Sequence, residues 1–448
     1  MALRTALPLL ALILAAPPPP AGQDSPLKWP VPPPGPSREI VFPHILIGAG
    51  DLARELAAGG VPLDVRDAGA YARGHIPGAV PAWRQEEEGP GGIDGVRSLL
   101  AERGITYAQT VILYGDPGRD AVAHLFWLMR RAGCRDVRIL EGGLTAWLAA
   151  GGALEHEPAK RAPSDFGRPA AEPLAVDADW VAASFGQAGV ELLDVRDARG
   201  WDRWQTPPGF GAGHIPYSLP FDPRALLPAS GGWPAPAELR RDLGTLGPRK
   251  GDPVHPDSIF VLYGDDARDP RTALGYLLLT LAGMDARIFQ GGWREWTANG
   301  GRPVVRVVSA GEVAALLRRE DPALHRSGPP RGVILLDLRE ERDFMTGHLP
   351  GASNLPFRFL SERFEKTVAG AWPGADRATT PLVLYCYGID CVRSRKAGVH
   401  AARLGYRNVL WFRGGVREWL EAGLPLLETP AATAPAAPAS PGGSTARP

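Results

Sequence analysis

Cysteine is scarce in this chain. Among its 448 residues, only Cys134, Cys386 and Cys391 carry a thiol. At most one intrachain disulfide can form, so a disulfide-stapled small domain is excluded. An excess of one charge sign is also absent, because 49 basic and 49 acidic residues balance. This balance argues against a general role in binding nucleic acid or anionic membranes. The sequence also lacks a metal-ligand cluster, a glycine-rich nucleotide loop and a cofactor motif, so we expect no cofactor and no metal.

The chain also has little apolar sequence of membrane-spanning length. The run Thr5–Ala16 follows Arg4 and has 12 residues. It is too short for a bilayer, which needs about 20 residues, but it suits a signal peptide. We therefore predict a signal peptide at 1–22, with an uncleaved anchor or a wrongly assigned start as alternatives. The prediction implies a periplasmic or secreted protein without stable membrane insertion after cleavage.

Four short motifs recur three times in the same order, which indicates an internal repeat. The first copy reads VPLDVRD, GHIPGA, VILYG and EGGLTAW; the second reads ELLDVRD, GHIP, FVLYG and QGGWREW; the third reads ILLDLRE, GHLPGA, LVLYC and RGGVREW. The first Asp and the His are 11, 20 and 11 residues apart, and QTPPGFGA enlarges this loop in the second copy. The Tyr and the first closing Gly are 28, 28 and 29 residues apart. The chain therefore contains three copies of one unit.

Each copy alternates short apolar segments with helical patterns. Runs such as VILYG and LVLYC are apolar on both faces, which is typical of strands buried between helical layers. Helical periodicity follows at Ala121–Gly133 and Ser394–Gly405. We therefore predict an α/β fold in which each domain has a parallel sheet with helices on both faces. Ligands should bind at the carboxyl ends of the strands.

Composition sets the predicted domain limits. The domains are placed at 40–158, 174–305 and 306–428, with a Pro- and Ala-rich connector after the first. The tail at 429–448 is Ala, Pro, Ser and Gly with almost no large apolar residues, so we predict disorder there. The paired glycines before each closing Trp predict a tight turn.

Taken together, the motifs resemble those of the rhodanese (thiosulfate sulfurtransferase) superfamily. The Asp-x-Arg strand end, the Gly-His-Ile-Pro-Gly-Ala motif, the Tyr-Cys entry and the Gly-Gly-x-x-x-Trp closure all match. The resemblance covers nearly everything between 40 and 428. It implies a catalytic cysteine that follows a buried strand and opens a loop leading into a helix. The N–H groups of such a loop and helix favour a thiolate and an anionic substrate.

The copies differ at the cysteine position. Glycine followed by aspartate replaces it in the first two copies, as Gly115-Asp116 and Gly264-Asp265. Glycine has no nucleophile, and an aspartate would repel an anionic donor. These two domains resemble the non-catalytic domains of tandem sulfurtransferases. We predict that both are inactive and serve as scaffold, interdomain wall or partner surface.

The third copy keeps Cys386, but its loop is longer than usual. The family places Arg and Ser five and six residues after the cysteine, whereas Arg393 and Ser394 come seven and eight after it. Cys391 lies in the extension. The loop resembles those of exported two-cysteine rhodanese-like proteins linked to pyrroloquinoline-quinone-dependent catabolism, although Val392 replaces their tryptophan. Related phosphatases need an Arg at the position of Val392, so that function is discounted.

The resemblance makes Cys386 the candidate nucleophile, with a buried structural cysteine as the alternative. Its thiolate would attack a sulfane sulfur, form a persulfide and release sulfite or a related anion. Cys391 either resolves that persulfide or is a static disulfide partner. Arg393 is a candidate ligand for the anionic donor or a solvated charge, and Ser394 is predicted to cap the helix. The residues predicted to bind substrate are Tyr387, Gly388, Ile389, Asp390, Val392, Arg393 and Ser394.

Three residues of the third copy are predicted to be structural. Asp337 and Arg339 should form a strand-end ion pair, and His348 should pack below the loop. Their counterparts in the inactive copies are Asp64, Arg66 and His75, and Asp194, Arg196 and His214. Recurrence without a nucleophile indicates a role in the fold. Cys134, between a helix and the VRIL strand, is predicted to be a small core residue.

Three functions remain open from the sequence. The first is a periplasmic sulfurtransferase with a small anionic sulfur donor such as thiosulfate and a thiol acceptor. The second is a redox module in which Cys386 and Cys391 cycle between dithiol and disulfide with a partner protein. The third is a binding protein whose three domains present surfaces to a partner. The fold favours the first function, and two cysteines five residues apart favour redox involvement. No nucleic-acid partner is expected.

Overall fold

The computed structural model describes a defined set of ranges: 45–82, 92–115, 119–167, 174–187, 189–196, 213–229, 231–244, 258–266, 268–298, 302–319, 322–324, 330 and 332–428. The predicted signal peptide at 1–22, the predicted tail at 429–448, Asp116 and the QTPPGFGA insertion lie outside the described residues. Across the described ranges, no helix is long and apolar enough to span a bilayer.

The described strands form three five-stranded sheets, and every strand pair in them is parallel. The first domain contains β1 (Leu46–Ile47), α1 (Ala49–Ala57), β2 (Val61–Asp64), α2 (Ala68–Ala72), β3 (Val80–Pro81), α3 (Gly92–Glu102), β4 (Thr110–Tyr114), α4 (Arg119–Ala132), β5 (Asp136–Leu140) and α5 (Gly143–Ala149). The second contains β6 (Ala175–Val176), α6 (Ala178–Ser184), β7 (Val190–Asp194), β8 (Leu219–Pro220), a 3₁₀ turn (Pro223–Leu226), α7 (Pro236–Leu243), β9 (Ile259–Tyr263), α8 (Pro270–Leu281), β10 (Asp285–Phe289) and α9 (Gly292–Ala298). The third contains β11 (Val304–Val307), α10 (Ala310–Arg318), β12 (Ile334–Asp337), α11 (Glu341–Thr346), β13 (Ser353–Asn354), a 3₁₀ turn (Phe357–Phe359), α12 (Leu360–Ala371), β14 (Leu382–Tyr385), α13 (Arg393–Arg403), β15 (Asn408–Phe412) and α14 (Gly415–Glu421).

The three sheets share one strand order, β1-β5-β4-β2-β3 in the first and the corresponding order in the others. The predicted central strands are confirmed: β4 and β14 are buried along almost their whole length. The predicted helices are also confirmed, as α4 and α13. Residues apolar on both faces form these strands because helices cover both sides of a parallel sheet. This order brings the carboxyl ends of β12 and β14 together, where the candidate site lies.

The paired glycines follow β5, β10 and β15, and the second glycine of each pair packs against the loop after the central strand. Gly143, Gly292 and Gly415 have φ angles of +56°, +55° and +55°. A Cβ atom on Gly415 would lie 2.2 Å from the carbonyl oxygen of Cys386, and one on Gly143 would lie 2.2 Å from that of Gly115. The glycine is therefore required by a close backbone approach as well as by a left-handed conformation. In the third domain, Gly415 thereby sets the distance between α14 and the loop that begins at Cys386.

The first two domains share one hydrophobic core. Helix α4 packs against α8, and the ring centroids of Phe126 and Tyr276 are 6.2 Å apart. Buried side chains of both domains form one continuous cluster. Cys134 belongs to this cluster at 1% exposure, which confirms the predicted core residue, and burial raises its pKa to about 12. At the rim, Arg224 forms an ion pair with Asp120 at 2.6 Å.

The second and third domains meet through β11 and α13. Val305 pairs with β15 on one side and bridges antiparallel to His214 on the other, so this strand belongs to both domains. The third sheet therefore begins at Val304, two residues before the predicted limit at 306. Helix α13 packs its Val399 and Ala402 into the core of the second domain. The helix that follows the two-cysteine loop is thus held by a neighbouring domain.

Candidate functional site

A buried polar cluster lies beneath the cysteine position in all three domains. Arg339 donates to the Asp337 carboxylate at 2.7 Å and to the Gly347 carbonyl at 2.6 Å, which confirms the predicted ion pair. The Tyr385 hydroxyl also hydrogen-bonds Asp337 and accepts the Leu349 N–H at 3.3 Å. The same contacts recur in the other domains among Asp64, Arg66 and Tyr114 and among Asp194, Arg196 and Tyr263. Because two of these domains lack the cysteine, the cluster serves the fold.

His348 lies near this cluster, within electrostatic reach of Asp337 and Arg339. Its ring stacks on Phe344 with centroids 3.9 Å apart, and its Nδ1 lies 3.0 Å from the Phe344 carbonyl. Its backbone exchanges two 2.9 Å hydrogen bonds with Leu427. Burial lowers the pKa of His348. The histidine therefore holds the C-terminal segment of the domain against α11, which fits the predicted structural role.

The two-cysteine loop runs from Cys386 at the end of β14 to Val392 at the start of α13. A turn within it is closed by the Cys391 N–H, which donates to the Gly388 carbonyl at 3.0 Å. The first N–H groups of α14 bind the loop from below, because Val416 donates to the Cys386 carbonyl at 3.1 Å. Arg417 donates likewise to the next carbonyl at 3.2 Å. Backbone contacts on two sides thus define the path of the loop.

Cys386 is fully buried, at 0% exposure. Its Sγ lies 3.2 Å from Ser394 Oγ and 3.5 Å from the Cys391 carbonyl oxygen. Ser394 Oγ accepts the Trp411 indole N–H at 3.0 Å. The prediction that Ser394 caps the helix is wrong, because Val392 occupies the cap position and its side chain makes no cap bond. Ser394 lies one residue inside the helix, where its hydroxyl turns inward to the thiol.

Cys391 is partly exposed and hydrogen-bonds the Cys386 thiol, and neither cysteine is in a disulfide. That hydrogen bond lowers the pKa of Cys391 to about 6, assisted by the N–H groups of Arg393 and Tyr387 and the Arg393 charge. The hydrogen bond to Cys391, together with burial, raises the pKa of Cys386. The pKa values of the two thiols thus shift in opposite directions. Cys386 is a desolvated hydrogen-bond donor, whereas Cys391 is the acceptor.

The remaining predicted substrate residues surround the loop opening. Ile389 is 53% exposed and Tyr387 is 40% exposed, with its hydroxyl bonded to Asp343. Asp390 is exposed, Val392 is partly buried and Gly388 is buried. Arg393 forms an ion pair with Glu340 at 3.3 Å and lies 5.5 Å from the Tyr387 ring centroid. The exposed rim therefore combines an aromatic and an apolar side chain with the Asp390 carboxylate and one partly neutralised guanidinium.

An open cleft of about 780 Å³ adjoins this rim. Its lining includes Glu340, which is also the partner of Arg393, and Arg358, which pairs with the same carboxylate. Neither cysteine lines the cleft. The remaining lining residues are Glu341, Arg342, Met345, Thr346 and Glu428. The cleft is thus a neighbouring surface of mixed charge, connected to the loop through Glu340.

Two residues that contribute to the site were not predicted from the sequence. Trp411 supports Ser394, and Glu340 restrains Arg393. The repeat itself held a signal for the first of these. Trp411 pairs with Leu384 in the sheet, at the register where the first two copies carry Ile139 and Ile288. A side chain with a polar tip, found at this register only in the copy that has the cysteine, indicates a site residue.

The two domains that carry glycine at the cysteine position differ in the space left there. A Cβ atom on Gly264 would meet Asp269 at 2.5 Å, and Asp269 caps α8. A Cβ atom on Gly115 would meet Val65 and Val122 at 3.4 and 3.5 Å, which are ordinary contacts. The second domain has therefore closed the position, whereas the first could hold a side chain there. The described residues contain no group of three or more potential metal ligands.

Comparisons with known proteins agree with this architecture. The family model described as "Rhodanese-like domain" matches residues 48–150, 177–299 and 309–422. The thiosulfate sulfurtransferase of Azotobacter vinelandii is 29% identical over 275 residues, covering 58% of this chain and 96% of that protein. A Pseudomonas aeruginosa protein named as a 3-mercaptopyruvate sulfurtransferase is 35% identical over 205 residues, covering 45% of this chain and 69% of that protein.

The solved structure of wild-type EanB is also similar. It has a TM-score of 0.47 at 22% identity, covering 58% of this chain and 68% of that one, and carries no argument about function. The family assignment rests instead on three separate family matches that together span more than half of the chain. The buried Asp–Arg–Tyr cluster and the glycine closure repeat in each matched segment. The chain therefore belongs to the rhodanese superfamily, as a protein of three tandem rhodanese-like domains.

Proposed function

We propose that this protein is an exported sulfurtransferase that moves sulfane sulfur from a thiosulfate-like anion to a thiol acceptor. The observation that carries the proposal is the pair of free, mutually hydrogen-bonded thiols at the carboxyl edge of the third sheet. Relatives of the chain are named as thiosulfate and 3-mercaptopyruvate sulfurtransferases. The inactive domains act as scaffold, because α13 is packed against the second of them.

The reaction proceeds in two displacements. A loop thiolate attacks the outer sulfur of the donor, the donor S–S bond breaks, and sulfite leaves with the bonding electrons. An acceptor thiolate then attacks the outer persulfide sulfur and returns the loop cysteine as thiolate. No net oxidation occurs. The sequence predicts the persulfide on Cys386, at the family's position. Cys391 could resolve it by attacking the inner sulfur, which breaks the persulfide S–S bond, releases hydrosulfide and leaves a Cys386–Cys391 disulfide.

The loop offers recognition for an anionic donor. Arg393 is the first residue of α13, an 11-residue helix whose N-terminus favours negative charge. Its guanidinium is about one-third exposed and is shared with Glu340. A donor anion competes with that carboxylate for Arg393. The exposed rings and side chains of Tyr387 and Ile389 flank the same opening.

Sulfite release tests the proposal. The reduced full-length protein is incubated with thiosulfate and a small thiol, and sulfite is measured over time. The matched control is the double variant Cys386→Ser/Cys391→Ser, which retains Cys134 and all three domains. We expect turnover that is lost in the double variant. Equal sulfite release by both proteins would refute sulfur transfer at this loop.

A redox module is the second candidate, favoured by the hydrogen bond between the two thiols. In this function the Cys386–Cys391 pair cycles between dithiol and disulfide with a partner protein and carries no sulfur. Equilibration in glutathione buffers measures the reduction potential of the pair. Disulfide formation at cytosol-like potentials without any sulfite release from thiosulfate would favour the redox module over sulfur transfer.

Export is tested separately. The proposed signal peptide at 1–22 depends on its apolar run, so Leu12→Arg should block translocation. Expression in a Gram-negative host, followed by fractionation and mass measurement of the mature N-terminus, reports both location and cleavage. We expect a processed periplasmic form for the natural sequence and an unprocessed cytoplasmic form for the variant. Periplasmic material of full mass would indicate an uncleaved anchor.

A further inference from the structure

We propose that Cys391, rather than Cys386, is the thiol that receives the sulfane sulfur, and that Cys386 supports it as a hydrogen-bond donor. The inference rests on the proposed sulfurtransferase function and exchanges the roles that the sequence suggests for the two cysteines. It concerns the entry point of the sulfur. Access, hydrogen-bond direction and acidity each point to the same thiol.

Access separates the two thiols first. Cys386 is at 0% exposure, beneath the loop and against Ser394 and the core of the third domain. Cys391 is partly exposed at the loop opening, with the exposed Ile389 and Asp390 just before it in the chain. A nucleophile must reach its target along the line of the breaking S–S bond. Cys391 is thus the more accessible of the two thiols, with part of its side chain packed against the same core.

Trp411 sets the direction of the hydrogen bonds that connect it through Ser394 to Cys386. The Trp411 indole can only donate, and its N–H lies 3.0 Å from Ser394 Oγ. The single thiol proton of Cys386 is donated to the Cys391 carbonyl oxygen, with Sγ and that oxygen 3.5 Å apart, and the Cys391 thiol is also within its hydrogen-bonding reach. Ser394 must then donate its hydroxyl proton to Cys386 Sγ at 3.2 Å. The chain Trp411–Ser394–Cys386 therefore ends at Cys391, where ionisation of the neighbouring thiol makes its charged sulfur a stronger acceptor than the carbonyl oxygen.

The groups facing Cys391 stabilise its thiolate. From β14 and the loop it receives the Cys386 thiol and the Tyr387 N–H, and from α13 it receives the Arg393 N–H and positive charge. Asp390 precedes it in the chain, and Glu340 partly neutralises Arg393. The sum lowers the pKa of Cys391 to about 6. A thiol whose pKa is lowered in this way carries more thiolate at pH 7 than a free cysteine does.

The balanced steps follow from this assignment. The Cys391 thiolate attacks the outer sulfur of thiosulfate, giving Cys391–S–S⁻ and sulfite. After protonation of that persulfide, an acceptor thiolate removes its outer sulfur and restores the Cys391 thiolate. Cys386 keeps its proton throughout and donates it to the Cys391 sulfur when that sulfur is a thiolate, before the first step and after the second. The arrangement makes Cys391 a catalytic residue and Cys386 a positioning residue.

Asp390 makes the two thiols separable by digestion. Cleavage before aspartate, combined with trypsin, yields residues 378–389 with Cys386 and residues 390–393 with Cys391. The reduced full-length protein is exposed to thiosulfate at pH 7, capped with iodoacetamide under denaturing conditions and digested without reductant. We expect the extra sulfur on the 390–393 peptide. Cys386→Ser should retain it there, and Cys391→Ser should lose it.

The alternative outcomes distinguish the inference from the function on which it rests. Extra sulfur on the 378–389 peptide, formed at an unchanged rate in Cys391→Ser, overturns the inference and leaves the sulfurtransferase intact. No extra sulfur on either peptide, together with no sulfite release, overturns both. A separate pulse of iodoacetamide on each native variant provides the folding control, because Cys134 is 1% exposed and stays unlabelled while the protein is native.

A pH titration tests the supporting role of Cys386. Iodoacetamide labelling of the 390–393 peptide should rise with pH and reach half its plateau near pH 6 in the wild type. Cys386→Ser retains a donor and should keep that midpoint, whereas Cys386→Ala removes the donor and should raise it. The midpoint is the informative quantity, because a thiolate of low pKa is intrinsically less nucleophilic. An unchanged midpoint in Cys386→Ala would refute the hydrogen-bond role.

Discussion

The closing glycine of the third domain offers a direct test of how the site is held. Gly415 has φ +55°, and a Cβ atom there would lie 2.2 Å from the Cys386 carbonyl oxygen. Gly423 on the other side of α14 has φ +70° and nothing within 4 Å of its Cβ position. Gly415→Ala and Gly423→Ala therefore introduce similar backbone strain, but only Gly415→Ala also places a methyl group against the Cys386 carbonyl oxygen.

The magnitude follows from this difference. A left-handed alanine costs roughly 1–2 kcal/mol at either position, partly offset by about 0.4–1 kcal/mol from the less flexible unfolded chain. At Gly415 the loop must also withdraw by about 1 Å to reach an ordinary contact distance, and such overpacking costs about 1–3 kcal/mol. We therefore expect Gly415→Ala to be about 1–3 kcal/mol less stable than Gly423→Ala. With a urea slope of about 2 kcal/mol/M, the midpoints should differ by roughly 0.5–1.5 M.

The buried cysteines allow this measurement domain by domain. Pulsed alkylation during urea titration reports the third domain through Cys386 and the first domain through Cys134, which are at 0% and 1% exposure. Three domains need not unfold together, so a single global signal would be ambiguous. Gly415→Ala should lower the Cys386 midpoint and leave the Cys134 midpoint nearly unchanged. Equal Cys386 midpoints in Gly415→Ala and Gly423→Ala would show that the carbonyl contact does not require glycine.

Three further predictions follow from buried contacts. Gly264→Ala should destabilise the second domain through its 2.5 Å approach to Asp269, whereas Gly115→Ala should be tolerated; thermal denaturation compares them, and equal losses would contradict the reasoning. Asp337→Asn leaves a buried Arg unpaired, so it should lower the free energy of unfolding of the third domain by about 3–5 kcal/mol and abolish sulfite release. Asp64→Asn should lower the stability of the first domain by as much and spare sulfite release. Arg395→Ala removes side-chain donation to the carbonyls of residues 217 and 218 at 2.9 and 3.4 Å, so hydrogen exchange should quicken in α13 and not in the first sheet.

Much of the fold was predictable because it depends on local patterns that repeat. Strand and helix positions followed from apolar periodicity, and the Asp337–Arg339 ion pair followed from its recurrence in all three copies. The cap at Ser394 was predicted wrongly. Helix caps depend on where a loop ends, and the two-residue extension moved the helix start to Arg393. The predicted identity of the persulfide cysteine remains untested.

The sequence by itself determined three rhodanese-like units, the absence of a cysteine from two of them and the presence of two cysteines in one loop. Spacing and residue type are sufficient for those conclusions. Only the tertiary structure decided which thiol is buried, because exposure depends on how the loop folds over β14. It also decided the direction of the hydrogen bonds from Trp411, which lies 17 residues beyond Ser394 in the chain and reaches it across the sheet. Burial and hydrogen bonding between distant residues set the acidity of a thiol, and neither can be read from neighbours in sequence.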